Sequence, residues 1–407
     1  MIKKISKLSF VNILAQIISI VGFSVNSQLY GAEIIGGLFV VLSYSSIMSI
    51  VSSGYLEQAF FVEKNEDFFK YLLLLIFYLS VAISILTGFV LFFIGVGYVF
   101  FIMSNIFSGC LLKTITSYNI SKNRIMFISM AKLIFAPIIP LLYFFSYKIY
   151  GANESYVIAI SAISNLIFSI LITFISLKAF QVKLNLRDFL RLRLFKLLFK
   201  RYIKFTTYSM TGEFMRTLAF RAPTIVLEKY FGKEIAGFYG VANRILLMPI
   251  MVFVGTISQI YIQKISSFKK NNQRMFKFTK KIILILTVLT ILGMFLYFAL
   301  GKQVLILLLG KEFIPVYSVI IALLPYAVSI VIYNPIFSVY SVFEKQEYLF
   351  KMKFFILVFS FVTFSFSVIY KDFMLGLGLF SISLFVVYSL YGLKSINIIR
   401  RYDKEIN

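Results

Sequence analysis

The chain is 407 residues long, 60% hydrophobic and only 14% charged, with a formal net charge of +25 and a mean hydropathy of +0.92. No soluble domain hides that much apolar side chain, whereas a bilayer solvates it on the outside of every helix. The absence of histidine removes the commonest general base and metal ligand, and the single cysteine, Cys110, excludes an intrachain disulfide or a cysteine cluster.

In chain order, apolar runs of spanning length fall near 8–28, 35–60, 71–93, 96–117, 125–147, 155–177, 204–227, 235–262, 282–300, 316–342, 352–370 and 373–393. The expected fold is therefore an all-α membrane protein of about twelve transmembrane helices. The first run, after Lys7, lacks a small-residue cleavage site and reads as a span rather than a leader. The prolines at 137, 140, 223, 249, 315, 325 and 335 sit in or at the start of spans, where bundled membrane helices tolerate them as kinks. Pro137 with Pro140, and Pro325 with Pro335, predict bends in the fifth and tenth spans.

Basic residues crowd alternate loops. The segment 178–204 holds Lys178, Lys183, Arg187, Arg191, Arg193, Lys196, Lys200, Arg201 and Lys204 against one acid, Asp188. The segment 264–281 holds seven basic residues and no acid. This bias puts both termini in the cytoplasm, and it makes orientation and contact with anionic lipid the plain reading of the charge. Nucleic acid is not an expected partner.

Tyr30-Gly31-Ala32-Glu33-Ile34-Ile35-Gly36 recurs 201 positions later as Phe231-Gly232-Lys233-Glu234-Ile235-Ala236-Gly237. Both copies lie in the external hairpin that opens a six-span half, so the halves are expected to be parallel repeats around a central cavity. Tyr150-Gly151 with Glu154, and Leu309-Gly310 with Glu312, echo the pattern in other external hairpins. Glycine ends one helix there and the acid meets the positive start of the next. The expected organisation is a lobe at 1–178, a basic cytoplasmic linker at 179–203 and a lobe at 204–407.

Six ionisable residues are assigned to spans: Glu57, Lys132, Glu213, Arg216, Arg221 and Arg244. A charge at the bilayer centre costs on the order of 2.5–3.5 kcal/mol on insertion scales, so each needs water or a partner. Glu57, a turn from the cytoplasmic loop, reads as a solvated helix end. Lys132 lies about 10 Å into the fifth span and reads equally as a snorkelling side chain or a functional one. Glu213, Arg216 and Arg221 fall within an arc of roughly 140° on one helix at about 100° per residue. Glu213 and Arg216 are spaced to pair, whereas Arg221 and Arg244 have no acid one turn away on their own spans. An internal ion-pair network is one reading. The other is a cationic cavity for an anionic ligand, since a guanidinium forks onto adjacent phosphate oxygens. Asn12, Gln16, Ser24, Asn26 and Gln28 on the first span read as helix–helix hydrogen-bonding groups, with a gate or portal lining as the second choice. No phosphate loop, metal-ligand cluster or nucleophile–base set appears, which argues against an enzyme and against any cofactor.

The stretch Arg221-Ala222-Pro223-Thr224-Ile225-Val226-Leu227, with Phe231-Gly232, Ala236-Gly237-Phe238-Tyr239-Gly240-Val241-Ala242-Asn243-Arg244 and Pro249, resembles the signature region of bacterial polysaccharide-biosynthesis flippases. These are the Wzx-type O-antigen repeat-unit flippases of the multidrug/oligosaccharidyl-lipid/polysaccharide flippase superfamily. The opening, Lys3 to Phe60 with Gly31 and Gly36, is similar to the start of that family. The resemblance implies two six-helix lobes around a cationic cavity. It also implies export of undecaprenyl-pyrophosphate-linked oligosaccharide across the inner membrane for lipopolysaccharide, beside other polysaccharide-assembly membrane proteins. Arg221 and Arg244 match the family motif; Glu213, Arg216 and Lys132 are assigned from burial alone. The alternatives are a multidrug-type cation-coupled exporter, which calls for an acidic cavity, and a membrane-embedded polymerase, which calls for a large external loop.

Overall fold

A computed structural model describes residues 2–63, 66–181 and 192–406, and every regular element among them is helical. The middle of the expected linker, 182–191 with Lys183, Arg187, Asp188 and Arg191, lies outside the described residues. The chain divides into two compact units, Met1–Glu228 and Lys229–Asn407.

The first unit holds α1 (Ile2–Ser52), a 3-10 turn (Leu56–Phe61), α2 (Glu66–Phe93), α3 (Val99–Ser121), α4 (Ile125–Phe135), α5 (Ile138–Tyr150) and α6 (Glu154–Ala179). It continues through α7 (Leu192–Lys204), a π-helical segment (Phe205–Met210) and most of α8 (Thr211–Phe231). At its centre α3 packs against α1, α2 and α6. Buried amides and hydroxyls stitch these helices together: Asn119 donates to Ser176 Oγ at 2.9 Å and Tyr30 to the Tyr143 carbonyl at 2.8 Å. Asn26 donates to the Pro140 carbonyl at 3.0 Å, so this member of the first-span polar set serves helix packing.

The second unit holds α9 (Lys233–Ala242), a π segment (Asn243–Leu247), α10 (Met248–Lys270), α11 (Phe276–Leu309) and α12 (Ile314–Tyr333). A 3-10 turn (Asn334–Phe337), α13 (Ser338–Val342), α14 (Gln346–Tyr370) and α15 (Phe373–Glu405) complete it. Here α15 is the hub, packed against α12 and α14. Gly392 lets it close on the Tyr333 ring, where an added Cβ would come within 2.1 Å of Cδ1. The Asp403 carboxylate accepts from the Met275 and Phe276 amides at 2.9 Å each, capping the start of α11.

Ten helices among the described residues are long and apolar enough to cross a membrane. The protein is a multi-pass membrane protein. Two differences separate ten from twelve. The first two runs form one helical stretch, broken at Gly31 (φ 75°, ψ 168°), so Phe10–Ser52 contains both. The seventh run is helical as α8, but Glu213, Arg216 and Arg221 make it too charged to register as a hydropathy peak. The second span also stops at Ser52, eight residues earlier than expected, and Leu56–Phe61 turns back as a buried 3-10 segment. The fifth span breaks between Phe135 and Ile138, at Pro137. The tenth changes to a 3-10 turn at Asn334–Phe337 around Pro335, whereas Pro325 stays inside α12.

The external hairpins share a backbone device. Gly31, Gly232 (φ 96°, ψ 164°) and Gly310 (φ 88°, ψ 173°) occupy the mirror of extended space, a region essentially closed to other residues. Gly151 (φ 70°, ψ −163°) joins them. Glu154, Glu234 and Glu312 stand in the first turn after three of these glycines, as the charge–dipole argument requires.

Candidate functional site

The π segment Phe205–Met210 leads into α8 without a break in helicity, and π turns inside helices commonly mark functional positions. One turn into α8, the Arg216 guanidinium clasps Glu213: Nε donates to Oε1 at 2.9 Å and Nη2 donates to the same oxygen. The carboxylate is the more enclosed partner, with Glu213 19% and Arg216 41% exposed at the side chain.

This pair belongs to a larger group. After α1 the chain reverses through Gly54 and Tyr55, both in the left-handed region, and Thr206 Oγ1 donates to the Gly54 carbonyl at 2.8 Å. That bond holds the π segment against the turn. Just beyond, Glu57 is buried at 4% exposure, and its Oε2 has no hydrogen-bond donor among the described residues. The solvated helix end expected at Glu57 is therefore corrected: the residue starts a 3-10 turn that folds into the core. On α3, the Lys113 ammonium donates to Ser49 Oγ at 2.9 Å and lies in the fields of Glu57, Glu213 and Arg216. Tyr55 feels the same three charges as well. Two acids and two bases thus form one group, three of them acting on Tyr55. A buried carboxylate with an unfilled oxygen needs a nearby cation, and Lys113 supplies one.

Lys113 escaped the sequence reading although it falls inside the 96–117 run; a recount of that run is the signal that would have found it. Of the expected residues, the structure brings Glu213 and Arg216 together and adds Glu57 and Lys113. Arg221 lies half-buried two turns further along α8, beside the buried Pro223. Lys132 is exposed on α4 and is not part of the group. Arg244 belongs to the second unit, in the π segment Asn243–Leu247, where Asn243 Nδ2 donates to the Tyr239 carbonyl at 2.9 Å.

The model of a family described as "Polysaccharide biosynthesis protein" matches residues 149–318. Glu213, Arg216, Arg221 and Arg244 all fall inside that stretch. Among curated proteins none matches by sequence. Among solved structures, the lipid II flippase MurJ in an inward closed conformation superimposes with a TM-score of 0.71 at 17% identity, over 98% of this chain and 90% of that one. An inward-facing multidrug resistance MATE family transporter of the MOP superfamily gives 0.62 at 13%, over 98% and 95%. A Pyrococcus furiosus MOP superfamily transporter, described as having a binding pocket of reverse polarity, gives 0.56 at 11%, over 97% of each chain. The chain has the MOP-superfamily fold. The family resemblance is borne out where its motif lies, since Arg221 to Pro249 sits wholly within the matched residues. The first three turns of α8 carry three ionisable residues, Glu213, Arg216 and Arg221, all within the matched stretch.

Proposed function

We propose that this MOP-superfamily chain is a flippase for undecaprenyl-pyrophosphate-linked oligosaccharide, an O-antigen-like repeat unit, moving it from the cytoplasmic to the periplasmic leaflet of a bacterial inner membrane. The observation that carries the reading is the set of membrane-embedded cations within the polysaccharide-biosynthesis segment 149–318. Arg216, Arg221 and Arg244 supply guanidinium forks for the pyrophosphate, and Lys132 is a further contact from α4. Glu213 limits the positive field and, in a chain without histidine, is the carboxylate best placed to carry a coupling proton. The proposed motion is alternating access of lobes 1–178 and 204–407 joined by 179–203, with no covalent step and both termini cytoplasmic.

A second reading, a multidrug-type cation-coupled exporter, is favoured by one feature: the buried Glu57 carboxylate, an acid inside the membrane domain. Deletion in the native host separates the two. Under the flippase reading a lipid-linked oligosaccharide accumulates on the cytoplasmic leaflet; normal glycan export with increased drug sensitivity would establish the exporter instead. Reporter fusions after Lys7, Lys270 and Arg401 check the orientation, and a periplasmic signal at Lys270 overturns it.

A further inference from the structure

Arg216 turns the Nε–Nη2 edge of its guanidinium onto Glu213, and both donors converge on one carboxylate oxygen, Oε1. A phosphate gripped through that edge needs the same two donors. The internal carboxylate and an incoming phosphate therefore compete for one fork. Arg216 is 41% exposed at the side chain and Glu213 19%, so an outside anion reaches the guanidinium while the carboxylate stays enclosed. Displacing Glu213 without a new counter-ion would leave a half-enclosed charge unpaired, which opposes anion binding at Arg216.

The cation that can receive Glu213 stands on another helix. Lys113 of α3 lies in the fields of Glu57, Glu213 and Arg216. Unlike Arg216, it is held by a neutral group: its ammonium donates to Ser49 Oγ at 2.9 Å. Ser49 in turn donates to the Ser46 carbonyl at 3.1 Å, which fixes the hydroxyl but not the lysine. An ammonium with rotatable donors on a flexible stem turns easily from one acceptor to the next. The backbone has no need to move. Thr206 donates to the Gly54 carbonyl and so pins the approach to α8 against the turn that follows α1. Rotation of two side chains is enough to change partners.

We infer that Lys113 is a reserve counter-ion: when a phosphate group takes the Arg216 fork, Glu213 passes to Lys113, and the ammonium leaves Ser49 to meet it. Lys113 is then a positioning residue, which promotes anion binding without touching the anion. The inference rests on the reading of Arg216 as a pyrophosphate contact, and adds to it the handover that frees the fork.

The test is a double-mutant cycle, read by calorimetric titration of inorganic pyrophosphate into the full-length protein. A Glu57→Gln background ensures that removing Lys113 strands no buried acid. Lys113→Met should weaken pyrophosphate binding about tenfold while Glu213 is present, and less than about twofold once Glu213→Gln has removed the group to be received. Lys113→Arg should bind within about twofold of the parent, because it keeps the charge. A merely structural role, or direct contact of Lys113 with the anion, predicts the same loss with either residue at position 213. Equal loss in both, or loss in neither, overturns the inference. Ser49→Ala with Lys113 intact removes the resting partner, and should tighten binding about two- to fivefold. That variant decides the matter if Lys113→Met does not fold, and unchanged or weaker binding in it counts against the handover. Failure of the parent protein itself to bind pyrophosphate is a different result: it removes the anion-binding reading of Arg216 and the handover with it.

Discussion

The first span and α8 share a hairpin motif at a 201-residue offset and differ in charge. Each runs into a glycine in the same rare conformation, Gly31 (φ 75°, ψ 168°) and Gly232 (φ 96°, ψ 164°), followed two residues later by a glutamate. At the 201-residue offset, Glu213, Arg216, Arg221 and Arg244 correspond to Asn12, Ala15, Ile20 and Ser43. The early copy keeps its polarity neutral and satisfies it locally: Ser43 donates to the Phe39 carbonyl at 2.7 Å, and Asn26 to the Gly22 and Pro140 carbonyls. The later copy carries full charges. The proposed anionic ligand would use the charges of the later copy, of which Glu213 and Arg216 are paired with each other.

The largest expected effect tests that asymmetry. Combining Arg221→Ala with Arg244→Ala should abolish glycan export with protein abundance near normal, and Lys at both positions should restore part of it through charge without the fork. Export unaffected by the alanine pair would remove the pyrophosphate-binding role. Next is the group of Glu57, Lys113, Glu213 and Arg216 within the first unit. Lys113→Met should destabilise the protein by roughly 3–5 kcal/mol in thermal melts by stranding Glu57, with the Glu57→Gln, Lys113→Met double variant recovering most of the loss. If the double variant is no better than the single one, the two side chains are not coupled.

The spans were legible because uninterrupted apolar runs have no other stable home, and the hairpin glycines because only glycine adopts their backbone angles. What stayed hidden has equally physical causes. The hydropathy of 35–60 gives no sign that helix α1 ends at Ser52, because Leu56, Ala59 and Phe60 are as apolar in a buried 3-10 turn as in a span. Glu57 was misplaced with them. In α7 the count of basic residues masked the spacing of Phe195, Leu198 and Tyr202, which is helical and one-sided. Conversely, the pairing of Glu213 with Arg216 was readable at once, since three residues apart on a helix leaves little freedom.

Two smaller effects sharpen the comparison. Gly232→Ala should lower stability by about 1–3 kcal/mol through backbone strain alone, because nothing lies within 4 Å of the added Cβ. Gly31→Ala should cost a similar amount if the two hairpins are true copies; a several-fold difference in detergent melts would separate them. Smallest of all, Asn26→Ala should cost about 0.6–1.7 kcal/mol and leave export intact, since its bond to Pro140 serves packing. Lost export in a stable Asn26→Ala protein would bring the first span into the transport path.

The π segment Phe205–Met210 also shapes how this region tolerates change in length. A π turn holds more residues per turn than an α turn, so it stores surplus chain between two ordinary helices. Deleting one residue within it, Ser209 for instance, should let the segment tighten into α-helix instead of unravelling. The deletion would rotate α8 by about 100° relative to α7. Glu213 and Arg216 would still clasp each other, but the pair would swing away from Tyr55 and Lys113. A shortened chain of this kind would fold and insert, yet aim its charges elsewhere: the surplus residue sets the direction in which the helix faces.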